Sequence, residues 1–192
     1  MLDNKEHILW SLFLEGDKNA FSAIFKMHYS SLYNYGIKIC GNTHLVEDVL
    51  QSFFINLFEN RKRIGEVSNV KGYIFISYRR ALFAYLKKES IFTEIKNDTH
   101  NRSNFEISPE EIHINQDFSS VQKETISKIL NTLAPREREV IYLKYYSELE
   151  TNEISNIMDI SYQSVLNTLQ KAFTKLRKEV ENAVLTAILK KK

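Results

Sequence analysis

The chain has 192 residues, with 26 Lys+Arg against 24 Asp+Glu (net charge +2) and 43% hydrophobic residues, enough for packed cores and too many for wholesale disorder. Five Gly and two Pro cannot supply the turns that β-sandwiches and barrels need about every 8–12 residues, so helices are the default. Cys40 stands alone, which excludes disulfide frameworks and cysteine-based zinc sites.

The opening, Met1-Leu2-Asp3-Asn4-Lys5-Glu6, is no signal peptide, and no apolar run nears the roughly 18 residues of a membrane span. A cytoplasmic, all-α protein without membrane insertion is expected. Ile8, Leu9, Leu12 and Phe13 form a first short apolar stripe that ends at Gly16, a C-cap residue. Asp17 opens a longer helix through Ala20, Phe21, Ile24, Phe25, Leu32, Tyr33 and Ile37, closing at Gly41. A third begins near Thr43 and places apolar pairs at Leu45/Val46, Val49/Leu50, Phe53/Phe54 and Leu57/Phe58, a strongly helical spacing. A basic loop, Arg61-Lys62-Arg63, follows. Ser68 is the expected cap of a fourth helix that runs through Tyr73, Ser77, Leu82 and Leu86.

The stretch after that helix differs in composition. Residues 91–118 hold 2 basic and 6 acidic groups, between flanks that each hold 12 basic and 9 acidic. Its apolar positions, Ile95, Phe105, Ile107, Ile112 and Ile114, keep no period. Residues 93–120 therefore read as an acidic, flexible linker between a domain over 1–92 and another over 121–192. Within it, Ser108-Pro109-Glu110-Glu111 predicts one capped short helix. Beyond it, Ile126, Ile129, Leu130 and Leu133 share a stripe, and Pro135 restarts the chain into Val140, Ile141 and Leu143.

Two amphipathic pieces, Thr151–Met158 and Ser161–Lys178, are joined by Asp159-Ile160-Ser161. Ile154, Ile157, Ile160, Val165 and Leu169 supply the small core that a helix-turn-helix requires, and Ser161 can cap the second helix. Its outer face would present Tyr162, Gln163, Ser164, Asn167, Thr168, Gln170 and Lys171. Polar side chains of these types can bond base edges, while Lys171, Lys175, Arg177 and Lys178 can neutralise phosphates. An ordinary helical hairpin fits the same pattern, and the face carries no basic residue before Lys171. Arg79, Arg80, Lys87 and Lys88, interleaved with Phe75, Tyr78, Phe83 and Tyr85, suit a single nucleic-acid strand, cations for the backbone and rings for bases. Taken alone, the pattern fits better a solvated basic face over aromatics that belong to the core. Glu47, Asp48 and Gln51 beside Phe53-Phe54 make either a solvated face or half of a docking surface.

In this order, the features resemble the bacterial RNA polymerase sigma factors of the extracytoplasmic-function (ECF) group, over roughly residues 8–88 and 121–180. Leu133-Ala134-Pro135-Arg136-Glu137-Arg138-Glu139-Val140-Ile141 is similar to the family's L-P-x-x-x-R-x-V at the start of region four. Val46-Glu47-Asp48-Val49-Leu50-Gln51-Ser52-Phe53-Phe54 is similar to the A-E-D-x-x-Q-x-x-F helix of region two, and the stretch from Tyr73 to Lys88 resembles the helix that reads the minus-ten element. The resemblance implies two small helical domains, a region-two-like bundle and a region-four-like helix-turn-helix domain. It implies that Glu47, Asp48, Gln51 and Phe54 bind core RNA polymerase. Asn69, Phe75, Tyr78, Arg79, Arg80, Lys87 and Lys88 would engage the minus-ten element, with a flipped base held by the loop Glu66–Asn69. Tyr162, Gln163, Ser164, Asn167, Gln170, Lys171 and Lys175 would read the minus-thirty-five element. Promoter DNA and an anti-sigma factor are the further partners it implies, and the linker would thread toward the polymerase's RNA exit path.

Departures from the pattern are Arg80, Ala84, Leu166, Thr168 and Asp159. The last replaces a turn glycine, a place Asp tolerates because it can adopt left-handed backbone. The competing reading is a free-standing regulator whose helix-turn-helix binds DNA as a dimer, whereas a sigma factor is expected to be monomeric when free. An enzyme is not expected, nor any cofactor or metal: the paired Glu-x-x-His motifs of a di-metal bundle are absent, Glu110–His113 being a single such spacing, and no Gly-rich phosphate loop is present.

Overall fold

The computed structural model describes residues 2–92, 105–112 and 119–189, with side chains described over 5–88, 105–112 and 119–182. It divides into two compact units, residues 1–104 and 105–192. The described residues form helices and turns without a strand.

In the first unit α1 (Leu2–Glu15) is followed by α2 (Lys18–Cys40), α3 (Thr43–Glu59), α4 (Arg61–Ile64) and α5 (Val70–Phe92). The caps explain the breaks. Gly16 takes φ +103° between α1 and α2. Asp17 Oδ1 accepts the Asn19 and Ala20 N–H groups at 2.7 and 2.9 Å, starting α2. Gly41, at φ +67°, ends it, and Asn42 Oδ1 accepts Leu45 N–H to start α3. Along α3 the apolar pairs from Leu45/Val46 to Leu57 are all buried, each large side chain contributing about 1.5–3 kcal/mol against the entropy of ordering it. They pack with Trp10, Phe13, Ile24, Leu32 and Tyr35 from α1 and α2 and with Ile74, Phe75, Tyr78 and Leu82 from α5.

Two local expectations are corrected here. Arg61-Lys62-Arg63 is not loop but the body of the one-turn α4. Arg61 donates from Nη1 to Phe58 O at 2.7 Å and lies over the Phe58 ring at 4.4 Å, which turns the chain back on itself. The cap of α5 is Asn69 and not Ser68: Asn69 Oδ1 accepts Gly72 N–H at 2.7 Å.

In the second unit come α6 (Ser120–Leu130), α7 (Pro135–Ile141) with a π turn over Tyr142–Tyr146, α8 (Thr151–Met158) and α9 (Tyr162–Leu189). The expected linker is corrected over residues 105–112, which belong to this unit. Phe105, Ile107 and Ile112 are fully buried, with the Phe105 ring edge-on to Tyr142 at 5.3 Å. The Asn131 side chain staples the segment down, accepting Ile107 N–H and donating to Ile107 O, both at 3.0 Å, while Ser127 Oγ donates to the same carbonyl at 2.6 Å. The short helix expected at Ser108 is a single 3-10 turn, Pro109–Glu111, with Glu111 accepting Ser108 N–H at 2.8 Å. The rest of the expected linker lies outside the described residues, apart from Ser119 and Ser120, which cap and begin α6.

Candidate promoter and polymerase interfaces

Packing one face of α3 inward leaves the other to solvent: Glu47, Asp48, Gln51, Ser52 and Ile55 are exposed in successive turns. Phe54 is buried, so it serves this surface only from beneath. With Phe21, Phe25, Ile55 and Phe58 it lines an apolar hollow of about 490 Å³ between α2 and α3, with Lys18, Gln51 and Glu59 at its edge.

On α5 the expected minus-ten residues separate. Arg80, Lys87 and Lys88 are exposed. Arg79 is half-buried: its Nε donates to Tyr35 Oη at 3.0 Å and its guanidinium lies over the Phe83 ring at 4.4 Å. Phe75 and Tyr78, both at 0% exposure, are core. Their rings pack on Tyr35 and Phe53, so their expected role in holding bases is corrected. Burial drives the Tyr78 hydroxyl far above its ordinary pKa, and its Oη has no hydrogen-bond partner among the described residues. Among the described side chains of α5, the exposed aromatic is Tyr85.

Asn69 is exposed, with its side-chain oxygen committed to the α5 cap. The loop ahead of it is held from α1, a link absent from the sequence reading. Trp10 Nε1 donates to Gly65 O at 3.2 Å and Ser11 Oγ donates to Glu66 Oε1 at 2.9 Å. Trp10 is the chain's one tryptophan, and that was the available signal.

The helix-turn-helix forms as the pattern requires. Asp159 adopts φ 53°, ψ 51°, Ile160 N–H reaches back to Ser155 O at 3.0 Å, and Ile154, Ile157, Val165 and Leu169 are buried. Ser161 Oγ accepts Ser164 N–H at 3.1 Å, starting α9. Tyr162, Gln163, Leu166, Asn167, Gln170 and Lys171 stand exposed on α9. Ser164 is half-buried with its hydroxyl 2.8 Å from that of Ser161, so it belongs to the cap.

Lys175 is only half free, at 52% exposure. Its ammonium donates to both Glu137 oxygens, at 2.8 and 2.9 Å. Glu137 Oε2 also accepts Ala134 N–H at 3.0 Å. Burial works to raise the Glu137 pKa, but the bonds from Lys175 and Ala134 outweigh it and hold the carboxyl below its ordinary value. Arg138 Nη1 braces the turn before α7 through Asn131 O and Oδ1, both at 3.2 Å. A second apolar hollow, of about 570 Å³, lies between Ile126, Leu130, Ile141, Tyr145, Phe173 and Leu176. Among the described residues no His, Cys, Asp or Glu cluster could hold a metal ion, and no helix is long and apolar enough to cross a membrane.

Comparison with known proteins assigns a family region to each unit. Residues 24–91 match the family described as Sigma-70 region 2, and residues 123–176 match Sigma-70, region 4. These regions, in this order on two helical units, define a sigma-70-type transcription initiation factor, which directs RNA polymerase to promoters. Within that class the chain belongs to the ECF sigma factors. It is 27% identical to ECF RNA polymerase sigma factor SigM of Bacillus subtilis, over 80% of this chain and 91% of that one. It is 26% identical to SigW of the same organism, over 88% and 92%. Two solved structures share the fold. CnrH in complex with the cytosolic domain of CnrY has a TM-score of 0.60 at 15% identity, covering 92% of this chain and 97% of that one. The sigma factor RpoE with the anti-sigma factor NepR, from Bartonella quintana, has 0.57 at 17%, covering 84% and 96%.

Proposed function

We propose that the three exposed surfaces divide the work of initiation. The acidic face of α3, with Glu47, Asp48 and Gln51 over the apolar hollow floored by Phe54, docks on core RNA polymerase. Arg80, Lys87, Lys88 and Arg79 on α5 track the minus-ten backbone. The loop Glu66–Asn69, strapped to α1, holds a base out of the stack, and Tyr85 offers a ring to another. Bases held outside the duplex favour the open state, so binding energy drives melting without nucleotide hydrolysis. The outer face of α9 lies in the major groove at the minus-thirty-five element.

The observation that carries this reading is the pairing of an exposed polar face on α9, held by the left-handed Asp159 turn, with an exposed basic edge on α5 in the other unit. A free-standing dimeric regulator has no use for the second surface. On this reading the protein is a cytoplasmic specificity subunit and not an enzyme, monomeric when free. An anti-sigma factor is a further partner, as it is for the RpoE of Bartonella quintana.

The test is strand opening and run-off transcription by purified core RNA polymerase on promoter fragments, with and without the protein. Opening only in its presence supports the reading. No gain in initiation, together with dimeric binding to a palindromic duplex, overturns it.

A further inference from the structure

The first two turns of α9 contain neither Arg nor Lys: Ser161 to Gln170 are polar or apolar, and the first cation is Lys171. The commonest specific contact in the major groove, a bidentate Arg or Lys on guanine, is therefore absent from the tip of this helix. In its place, Gln163, Leu166 and Asn167 stand exposed within one turn. Gln163 Nε2 donates to Asn167 Oδ1 at 3.0 Å, which fixes both amides relative to each other. With Gln163 giving one of its two Nε2 protons to Asn167 Oδ1, the pair still presents an acceptor, Gln163 Oε1, beside a donor, Asn167 Nδ2.

That acceptor–donor pair matches the major-groove edge of one base. Adenine presents a donor at N6 beside an acceptor at N7, whereas guanine presents two acceptors, so Gln163 Oε1 would face the guanine O6 without a proton between them. Leu166, at 36% exposure, adds hydrocarbon to the same turn. The only methyl group on a major-groove edge is that of thymine, which in an A·T pair sits at the other end of the row from adenine N7.

We propose that α9 selects an A·T pair in the minus-thirty-five element, reading adenine through the joined Gln163–Asn167 amides and the methyl of that or the adjoining thymine through Leu166. This rests on the sigma reading and on α9 lying in the major groove. It makes Gln163, Leu166 and Asn167 the residues that decide which promoters are used, and it leaves Tyr162 and Lys171 to phosphates.

The experiment uses the full-length protein with core RNA polymerase on promoter templates whose minus-thirty-five element is randomised, sequencing the templates that are transcribed. The preferred promoter is then rebuilt with each thymine of the element replaced by deoxyuridine, which removes only the methyl, and each A·T pair by G·C. The expected result is one thymine whose replacement lowers initiation about fourfold, the worth of one buried methyl. An A·T pair whose change to G·C lowers it about five- to hundredfold is expected beside or at that position. Leu166→Ala should erase the deoxyuridine effect, and Gln163→Ala or Asn167→Ala should flatten the A·T preference. The minus-ten preferences should not move in any of the three. Indifference to deoxyuridine at every thymine, or a Leu166→Ala variant that still senses the methyl, overturns the proposal while leaving the sigma reading intact. Absence of transcription from every template removes the sigma reading itself, and the proposal with it.

Discussion

Lys175 is expected on sequence grounds to neutralise a phosphate, yet it reaches Glu137 with two short bonds, and the two roles predict different outcomes for Lys175→Met. The bonds are charge-assisted, a kind worth about 1.5–3 kcal/mol when desolvated. Lys175 is half in water while Glu137 is 11% exposed, so solvent screening brings the pair to about 1 kcal/mol. Losing it should speed hydrogen exchange in α7 and the adjoining turns of α9 about fivefold. Promoter affinity of the polymerase complex should keep its salt dependence, because no phosphate contact is lost. Lys171→Met, by contrast, should leave exchange unchanged and reduce the slope of log K against log salt by about 0.9. If Lys175→Met lowers the salt slope by that amount and leaves exchange untouched, the strut is wrong and Lys175 is a DNA ligand.

The pH dependence follows from the sign of the Glu137 shift. Its pKa lies below the ordinary 4.5 in the folded chain. The folded state therefore binds its proton more weakly than the unfolded chain, and the stabilisation is complete above 4.5. It fades as pH falls through the lower, folded value. The exchange difference between Lys175→Met and the parent should hold from neutrality down to about pH 4.5 and close below it.

Gly36→Ala would gain helix propensity, but its Cβ would meet Tyr78 Oη and stand 3.0 Å from Val46 Cγ1. A net loss of about 1–3 kcal/mol in urea unfolding is expected, mostly recovered by adding Tyr78→Phe, and no recovery would refute the steric account. Tyr78→Phe alone removes a buried hydroxyl that has no hydrogen-bond partner among the described residues, so stability should stay level or rise by up to about 2 kcal/mol, with promoter opening unchanged; lost opening would restore Tyr78 as a DNA contact. Trp10→Phe with Ser11→Ala cuts both ties to the loop at Gly65 and Glu66. Permanganate reactivity of the open strand should fall several-fold while polymerase binding holds, and equal losses in both would show a merely structural role. Asp48→Lys reverses an exposed charge on α3 and should abolish polymerase binding without altering the circular dichroism spectrum. Retained binding would place the docking surface elsewhere.

The helices were legible because their boundaries rest on local chemistry: Asp17, Gly41, Pro135 and Ser161 act on neighbours within four residues, and each works where the sequence puts it. The left-handed Asp159 was legible for the same reason. What could not be read depends on contacts across the chain. Phe105, Ile107 and Ile112 have no period because they form no helix; they fill gaps over α6 and α7, and only Asn131, 24 residues from Ile107, gives them a place. Phe75 and Tyr78 carry the same composition as a stacking platform. Their burial depends on other helices: Phe75 packs on Tyr35, and Gly36 clears the space that Tyr78 occupies. The Trp10 strap spans 55 residues, beyond any periodicity. The proposed interfaces were legible only as exposed faces, since α3 and α9 expose what their spacing exposes; which residues of a face are already bonded was not. Lys175 and Ser164 look like ligands in sequence, and tertiary or capping bonds claim them.

The charge of the recognition unit leads to a last expectation. Once Lys175 is assigned to Glu137, the exposed cations on the described part of α9 reduce to Lys171, Arg177 and Lys178. At a slope of about −0.9 per phosphate, three contacts give a salt dependence near −3, well short of what proteins that hold DNA by electrostatics alone display. The proposed base-reading turn would add specificity but, being uncharged, little attraction at a distance. The isolated protein should therefore bind promoter duplex weakly in physiological salt, and gain affinity when core polymerase places both units on DNA at once, as linked binding does. Fluorescence anisotropy with a labelled promoter fragment measures this directly. Nanomolar binding of the protein alone would contradict the argument and point to phosphate contacts beyond the three cations of α9.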